Sequence, residues 1–169
     1  MKKQRGFSLI ELLIVVAIIL IIAAFAIPNL LRARVAANEA SAVGSIRTID
    51  TAEITYESNY AGYSSDLASL GSGGVLPCVP SSAGACLIDD LLAQNGGGSG
   101  KSGYLFAVTG GTGGGGGTTN VNYYATAVPA STQTGVRSFC SIDDAVVRLD
   151  PTGTLAGSYG ACEALSPLQ

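Results

Sequence analysis

Residues 12–31 form a run of twenty positions in which only Pro28 and Asn29 are not apolar. Such a run leaves a chain few options. At ~1.5 Å rise per residue, a helix of this length reaches ~30 Å, the hydrocarbon thickness of a bilayer. Only a helix lets a single segment cross that layer with every backbone group bonded. Lys2, Lys3 and Arg5 precede the run, and basic residues stay on the cytoplasmic side. The N-terminus is therefore expected to face the cytoplasm, with the remaining ~135 residues exported.

Glu11 breaks the pattern. An acid inside an apolar segment costs roughly 2.5–3.5 kcal/mol on insertion scales, so its presence calls for a partner. A plainer role is that of a carboxylate near a helix end, reaching toward lipid headgroups. Pro28 removes a backbone donor and is expected to kink the helix.

Residues 5–16, RGFSLIELLIVV, resemble the class III signal of type IV prepilins and of the related type II secretion pseudopilins. A short basic leader ends in Gly6, Phe7 follows, and Glu11 lies five residues past that junction, ahead of a long apolar helix. Pro28 matches the family's helix-kinking proline. The resemblance implies that a membrane-embedded prepilin peptidase cuts between Gly6 and Phe7 on the cytoplasmic side and N-methylates Phe7. It also implies that Glu11 attracts the N-terminal amine of Phe7 on a neighbouring subunit. The implied partners are identical subunits in a helical filament, the inner-membrane assembly machinery and the membrane itself. The implied location is a single pass through the bacterial inner membrane, then an extracellular pilus or a periplasmic pseudopilus. The resemblance covers residues 1–60. Beyond them only the architecture is similar, an α+β pilin fold in which a long transmembrane and spine helix packs on a small antiparallel sheet.

A secretory signal is the rival parse of residues 1–26. They offer a basic n-region, an apolar h-region and Ala24-Phe25-Ala26 as an A-x-A site. Against it, Glu11 sits inside the h-region and the apolar run continues past Ala26. A lipoprotein anchor fails because the first cysteine is Cys78.

Charge and composition narrow the function classes. The chain of 169 residues carries a formal charge of −3, and loss of Lys2, Lys3 and Arg5 with the leader makes it −6. That balance argues against general nucleic-acid binding, which needs a basic patch. With no histidine, neither a Ser-His-Asp nor a Cys-His constellation can be assembled. No catalytic residue, metal or cofactor is expected.

Five stretches follow in order: a leader at 1–6, the transmembrane half of a long helix at 7–31, its periplasmic half at 32–60, a connecting loop at 61–103, and a sheet with a C-terminal disulfide loop at 104–169. Leu31, Val35, Ala42, Val43, Ile46, Ile49, Ala52, Tyr56 and Tyr60 fall near one stripe of a 3.6-residue period. Arg32, Arg34, Glu39, Arg47, Asp50, Glu53 and Glu57 fall largely off it. A continuous helix over 7–59 would be ~80 Å long, a length that suggests assembly or membrane spanning. The Ala-rich patch at 33–42 reads as helix–helix packing surface, and the stripe from Val43 onward as the side that carries the globular domain. Gly44 is a weak point.

In the connecting loop, residues 95–102 (NGGGSGKS) nearly spell a phosphate-binding loop. Asn95 replaces the first glycine, and the segment that follows reads as a strand where the motif needs a helix. Strands are expected at 104–109, 121–128, 136–141 and 145–149, with a short fifth at 154–156. The Gly-rich stretch 110–117 joins the first two as a flexible loop. Asp143, Asp144 and Asp150 could ligate calcium, but D-x-[DN]-x-[DN]-G is absent and turn acids are the better reading. Cys78, Cys86, Cys140 and Cys162 lie in the exported part, where an even number reads as disulfides. Three pairings are open, and local loop closure favours 78 with 86 and 140 with 162. The second pair resembles the C-terminal disulfide loop of many major pilins.

The expected function is a structural subunit of a type IV pilus, polymerised by helix packing. The alternatives are a pseudopilin of a type II secretion system and a low-abundance minor pilin acting as a tip-binding module.

Overall fold

The computed structural model describes residues 7–74, 77–112, 119–154 and 157–168. The chain divides into two compact units, Met1–Arg34 and Val35–Gln169. Helix α1, Leu9–Tyr60, contributes to both.

In the first unit α1 is apolar all round. Its large side chains, from Leu9 to Leu31, are each between 46% and 79% exposed. No described residue of the unit covers them, and an all-round apolar helix of this kind finds its burial in lipid or against other helices. The helix is long and apolar enough to cross a membrane. Pro28 lies inside it, and the helix continues past it.

In the second unit α1 has one face against a four-stranded antiparallel sheet. Strands β1 (Tyr104–Thr112), β2 (Asn120–Pro129), β3 (Ser138–Ile142) and β4 (Arg148–Asp150) are neighbours in chain order. Alternation sends Tyr104, Phe106 and Val108 of β1 to one face, with Tyr123, Ala125 and Ala127 of β2 and Phe139 of β3. The register sets Phe106 opposite Ala127 and Val108 opposite Ala125, large against small. Ala42, Ile46, Ile49, Ala52 and Tyr56 of α1 complete this core. The fold class is therefore α+β, a long N-terminal helix packed on a small antiparallel sheet.

The other face of β3 carries a second, smaller cluster of Cys140, Ile142 and Cys162. Cys162 belongs to a short helix that the sequence pattern did not suggest. A 3₁₀ turn (Ala68–Leu70) and helix α2 (Asp90–Ala93) interrupt the connecting loop, and α3 (Tyr159–Glu163) follows β4. The side chain of Asp89 caps α2 by accepting from the Leu92 amide, and Ser158 caps α3 by accepting from the Ala161 amide.

The structure corrects several expectations. Glu39, Asp50 and Glu53, expected largely off the apolar stripe of α1, are buried in the unit. Burial starts at Glu39 and Ala42, one turn before Val43, so the end of the Ala-rich patch is already core. Strand β3 starts at Ser138 and not at 136, because the Val136 and Arg137 amides are both donated to Glu39 Oε1 at 3.2 Å. Strand β4 starts at Arg148 and not at 145, because Ala145 holds a left-handed φ of 55° and closes the turn after β3.

The fifth strand falls partly on Leu155 and Ala156, outside the described residues, as do the leader and most of the Gly-rich stretch; Gly110 and Gly111, expected in a flexible loop, instead extend β1, paired with Tyr123 and Asn122. The edge of β4 meets the C-terminal tail instead. Leu149 donates its amide to the Ser166 carbonyl and Leu168 donates to Val147. At the far end of β1, Gly110 makes a close approach possible. A Cβ there would sit 2.3 Å from the Ser64 carbonyl oxygen, so only glycine lets β1 lie against the segment leaving α1.

Candidate functional site: the N-terminal turn and the helix seat

Gly6 lies outside the described residues. Phe7 is 75% exposed and precedes the first turn of α1. The Ser8 amide donates to Glu11 Oε2 at 2.9 Å, and the Leu12 amide donates to the Ser8 carbonyl at 3.2 Å. Ser8 thus stands at the N-cap, and Glu11, three residues on, reaches back to its amide. This is one half of a capping box. The helix dipole favours a carboxylate there. The sequence did carry this signal in Ser8-Leu9-Ile10-Glu11, whose S-x-x-E spacing the pattern reading passed over. Phe7 and Glu11 are about one helical turn apart by position. Cleavage before Phe7 would place a positive amine beside the Glu11 carboxylate. Both residues are exposed and open to a second chain.

Pro28 leaves the carbonyl one turn earlier without its helical donor. Further along, α1 is held to the second unit by acids. Glu39 accepts from the Arg137 guanidinium (Nε at 2.9 Å) as well as from the two backbone amides. Burial pushes its pKa up, but these donors outweigh burial and hold it below the ordinary value. Asn38 donates to the Thr134 carbonyl at 2.9 Å, tying the same β2–β3 loop to the helix. Glu53 accepts from the Ser64 amide and hydroxyl at 2.9 and 2.5 Å and so fixes the turn that leaves α1. Asp50 accepts from the Tyr123 hydroxyl at 2.9 Å.

The four cysteines form two bonds, Cys78–Cys86 and Cys140–Cys162, with sequence separations of 8 and 22. The first clips the connecting loop; the second joins α3 to β3.

Two look-alike sites dissolve into structural roles. In the phosphate-loop mimic, the Asn95 side chain both donates to and accepts from the Phe106 backbone at 2.6 Å, pinning the loop to β1. Lys101 lies 3.5 Å from Asp89, and β1 follows where the motif needs a helix. Of the late acids, Asp144 pairs with Arg148, Asp143 accepts from the Tyr159 hydroxyl, and Asp150 accepts from Thr152. Among the described residues, no group of three His, Cys, Asp or Glu side chains is placed to hold a metal ion.

Comparison with known proteins bears on the N-terminal region. Residues 1–27 match the family model described as the prokaryotic N-terminal methylation motif. The chain is 43% identical over 75 residues to the type IV wide pilus major component PilA4 of Thermus thermophilus, covering 44% of this chain and 57% of that protein. It is 42% identical over 62 residues to the type IV major pilin protein PilA of Myxococcus xanthus, covering 37% and 28%. It is 40% identical over 57 residues to the type II secretion system core protein G of Vibrio cholerae, covering 34% and 39%. In each case the match spans well under two thirds of the relative. No solved structure gives a significant match.

Proposed function

We propose that this chain, whose N-terminal segment is of the prepilin type, is a structural subunit of a type IV pilus. One observation carries the reading: a long apolar helix whose large side chains from Leu9 to Leu31 are exposed, with a single acid in its first turn near Phe7. In the membrane, lipid covers this surface. In a filament, the same surface of neighbouring subunits replaces lipid, and no new apolar area meets water. The prepilin peptidase cuts between Gly6 and Phe7, and the new amine is methylated. The amine of an incoming subunit pairs with Glu11 of the growing filament, which neutralises two charges that are costly in low dielectric. Pro28 kinks the helix where it leaves the membrane. The subunit resides in the inner membrane, N-terminus inward, until it is extracted.

The similarity to the Vibrio cholerae protein supports a second reading, a pseudopilin that forms a short periplasmic filament for type II secretion. Cell fractionation separates the two readings. A pilus subunit is recovered in fibres sheared from cells, and its loss abolishes them. A pseudopilin stays with the cells, and its loss leaves exported proteins in the periplasm.

Intact-mass analysis of membrane-derived protein tests the processing step. The expected mature chain lacks residues 1–6 and carries one added methyl. A mature N-terminus at Ile27 would overturn the prepilin reading in favour of a secretory signal.

A further inference from the structure

Asp50 and Glu53 sit one helical turn apart on the face of α1 that meets the sheet, and both are buried. Glu53 has hydrogen bonds to both carboxylate oxygens, from Ser64. Asp50 does not. Its Oδ1 accepts from Tyr123 of β2, while Oδ2 is buried with no hydrogen-bond partner. An ionised carboxylate left half-satisfied in the core is expensive, and the usual relief is to keep the proton.

Burial favours the neutral form and outweighs the neighbours that favour the ion. From β2, Tyr123 offers one donor and packs at a tilt against Tyr63. From β3, the Ser141 hydroxyl lies near the carboxyl and, like the Tyr123 hydroxyl, favours the ionised form, but burial outweighs both. From the turn after β3, Asp144 adds negative charge, and on α1 itself Glu53 adds more. Asp66 faces Glu53 from the segment after α1. Among the described residues, the cation that acts on Asp50 is Arg47, which is exposed. No ion pair among the described residues includes Asp50 or Glu53.

We propose that the seat of α1 on the sheet is a proton-linked joint, firm while Asp50 carries its proton and loosened when that proton leaves. The joint ties α1 to β2 and β3, so the group it regulates is the packing of the helix on the sheet. Burial pushes Asp50 up from 3.8 to about 6, and burial also pushes Glu53 above 4.5. A folded-state value above the unfolded one means that the native state binds the extra proton. The stabilisation is complete below the unfolded value and is lost as the pH rises through the folded value. The chain has no histidine, so few other groups titrate in that window. The joint rests on residues 35–168 alone and stands whether or not the chain forms filaments.

The test is denaturant unfolding of the full chain in detergent micelles, followed by near-ultraviolet circular dichroism of the tyrosines. The unfolding constant should rise on the order of tenfold between about pH 5 and about pH 7. Asp50→Asn, neutral at every pH and nearly isosteric, should remove most of that slope. A wild-type constant that stays flat, or a slope that survives in Asp50→Asn, would overturn the joint. Should Asp50→Asn not fold, infrared spectroscopy of the folded wild type decides. A protonated-carboxyl band is expected at about pH 5 that fades toward about pH 7, and its absence at the lower pH would also overturn the joint.

Discussion

Glu39 spends four hydrogen bonds on the loop that leads into β3, two from backbone amides and two from Arg137. Removing the carboxylate strands those amides, so Glu39→Ala should cost about 2 kcal/mol of unfolding free energy, and Glu39→Gln, which keeps an acceptor, distinctly less. Its pH dependence runs opposite to that of Asp50. Because the folded pKa lies below 4.5, the Glu39 contribution is complete above that value and is lost as the pH falls through the folded one. Denaturant midpoints of both variants across the acid range would check magnitude and sign together. Ala61 holds the left-handed position that ends α1, at φ 58°. Glycine is at ease there, so Ala61→Gly should stabilise the chain by about 0.5–1 kcal/mol, seen as a rise in denaturant midpoint. Local pattern could not reveal the buried acids. The Glu39 partner Arg137 lies 98 residues away and the Asp50 partner Tyr123 lies 73 away, whereas hydropathy sorts any acid to the wet side of a helix.

Among the elements, α1 was the most legible, because its apolar run and stripe repeat over many turns. The strands were legible as elements, though not at their edges, where side-chain bonds to the backbone decide which amides remain free for pairing. Helix α3 was missed because it is five residues long and gains its order from a serine cap and a disulfide. That bond should stabilise the sheet end by about 3 kcal/mol through loop closure. Reducing Cys140–Cys162 should therefore speed hydrogen exchange in β3 and α3 and leave residues 12–31 protected by the micelle. Unchanged exchange in β3 would mean that the tail contacts of Leu149 and Leu168 hold this end unaided. At the other end of the chain, Glu11 caps its own helix through Ser8. Glu11→Ala removes that half of the cap and also a charge that resists insertion, at roughly 2.5–3.5 kcal/mol, so membrane levels should hold or rise.

For the whole molecule, the sequence alone pointed to a membrane anchor joined to an exported domain. The structure has two units, one with its apolar surface exposed and one with a closed core. The exposed helix needs cover, and in the proposed reading a filament of like chains would supply it when lipid is left behind. In the proposed filament Glu11 would have a second task, as the acid that receives the amine of the next subunit. Electron microscopy of cells carrying only Glu11→Ala, beside an immunoblot of their membranes, tests this most directly. The account predicts processed, membrane-inserted protein at wild-type level or above, with filaments absent or few. Normal filaments on those cells would contradict it, leaving Glu11 a helix cap and the apolar surface alone as the agent of assembly.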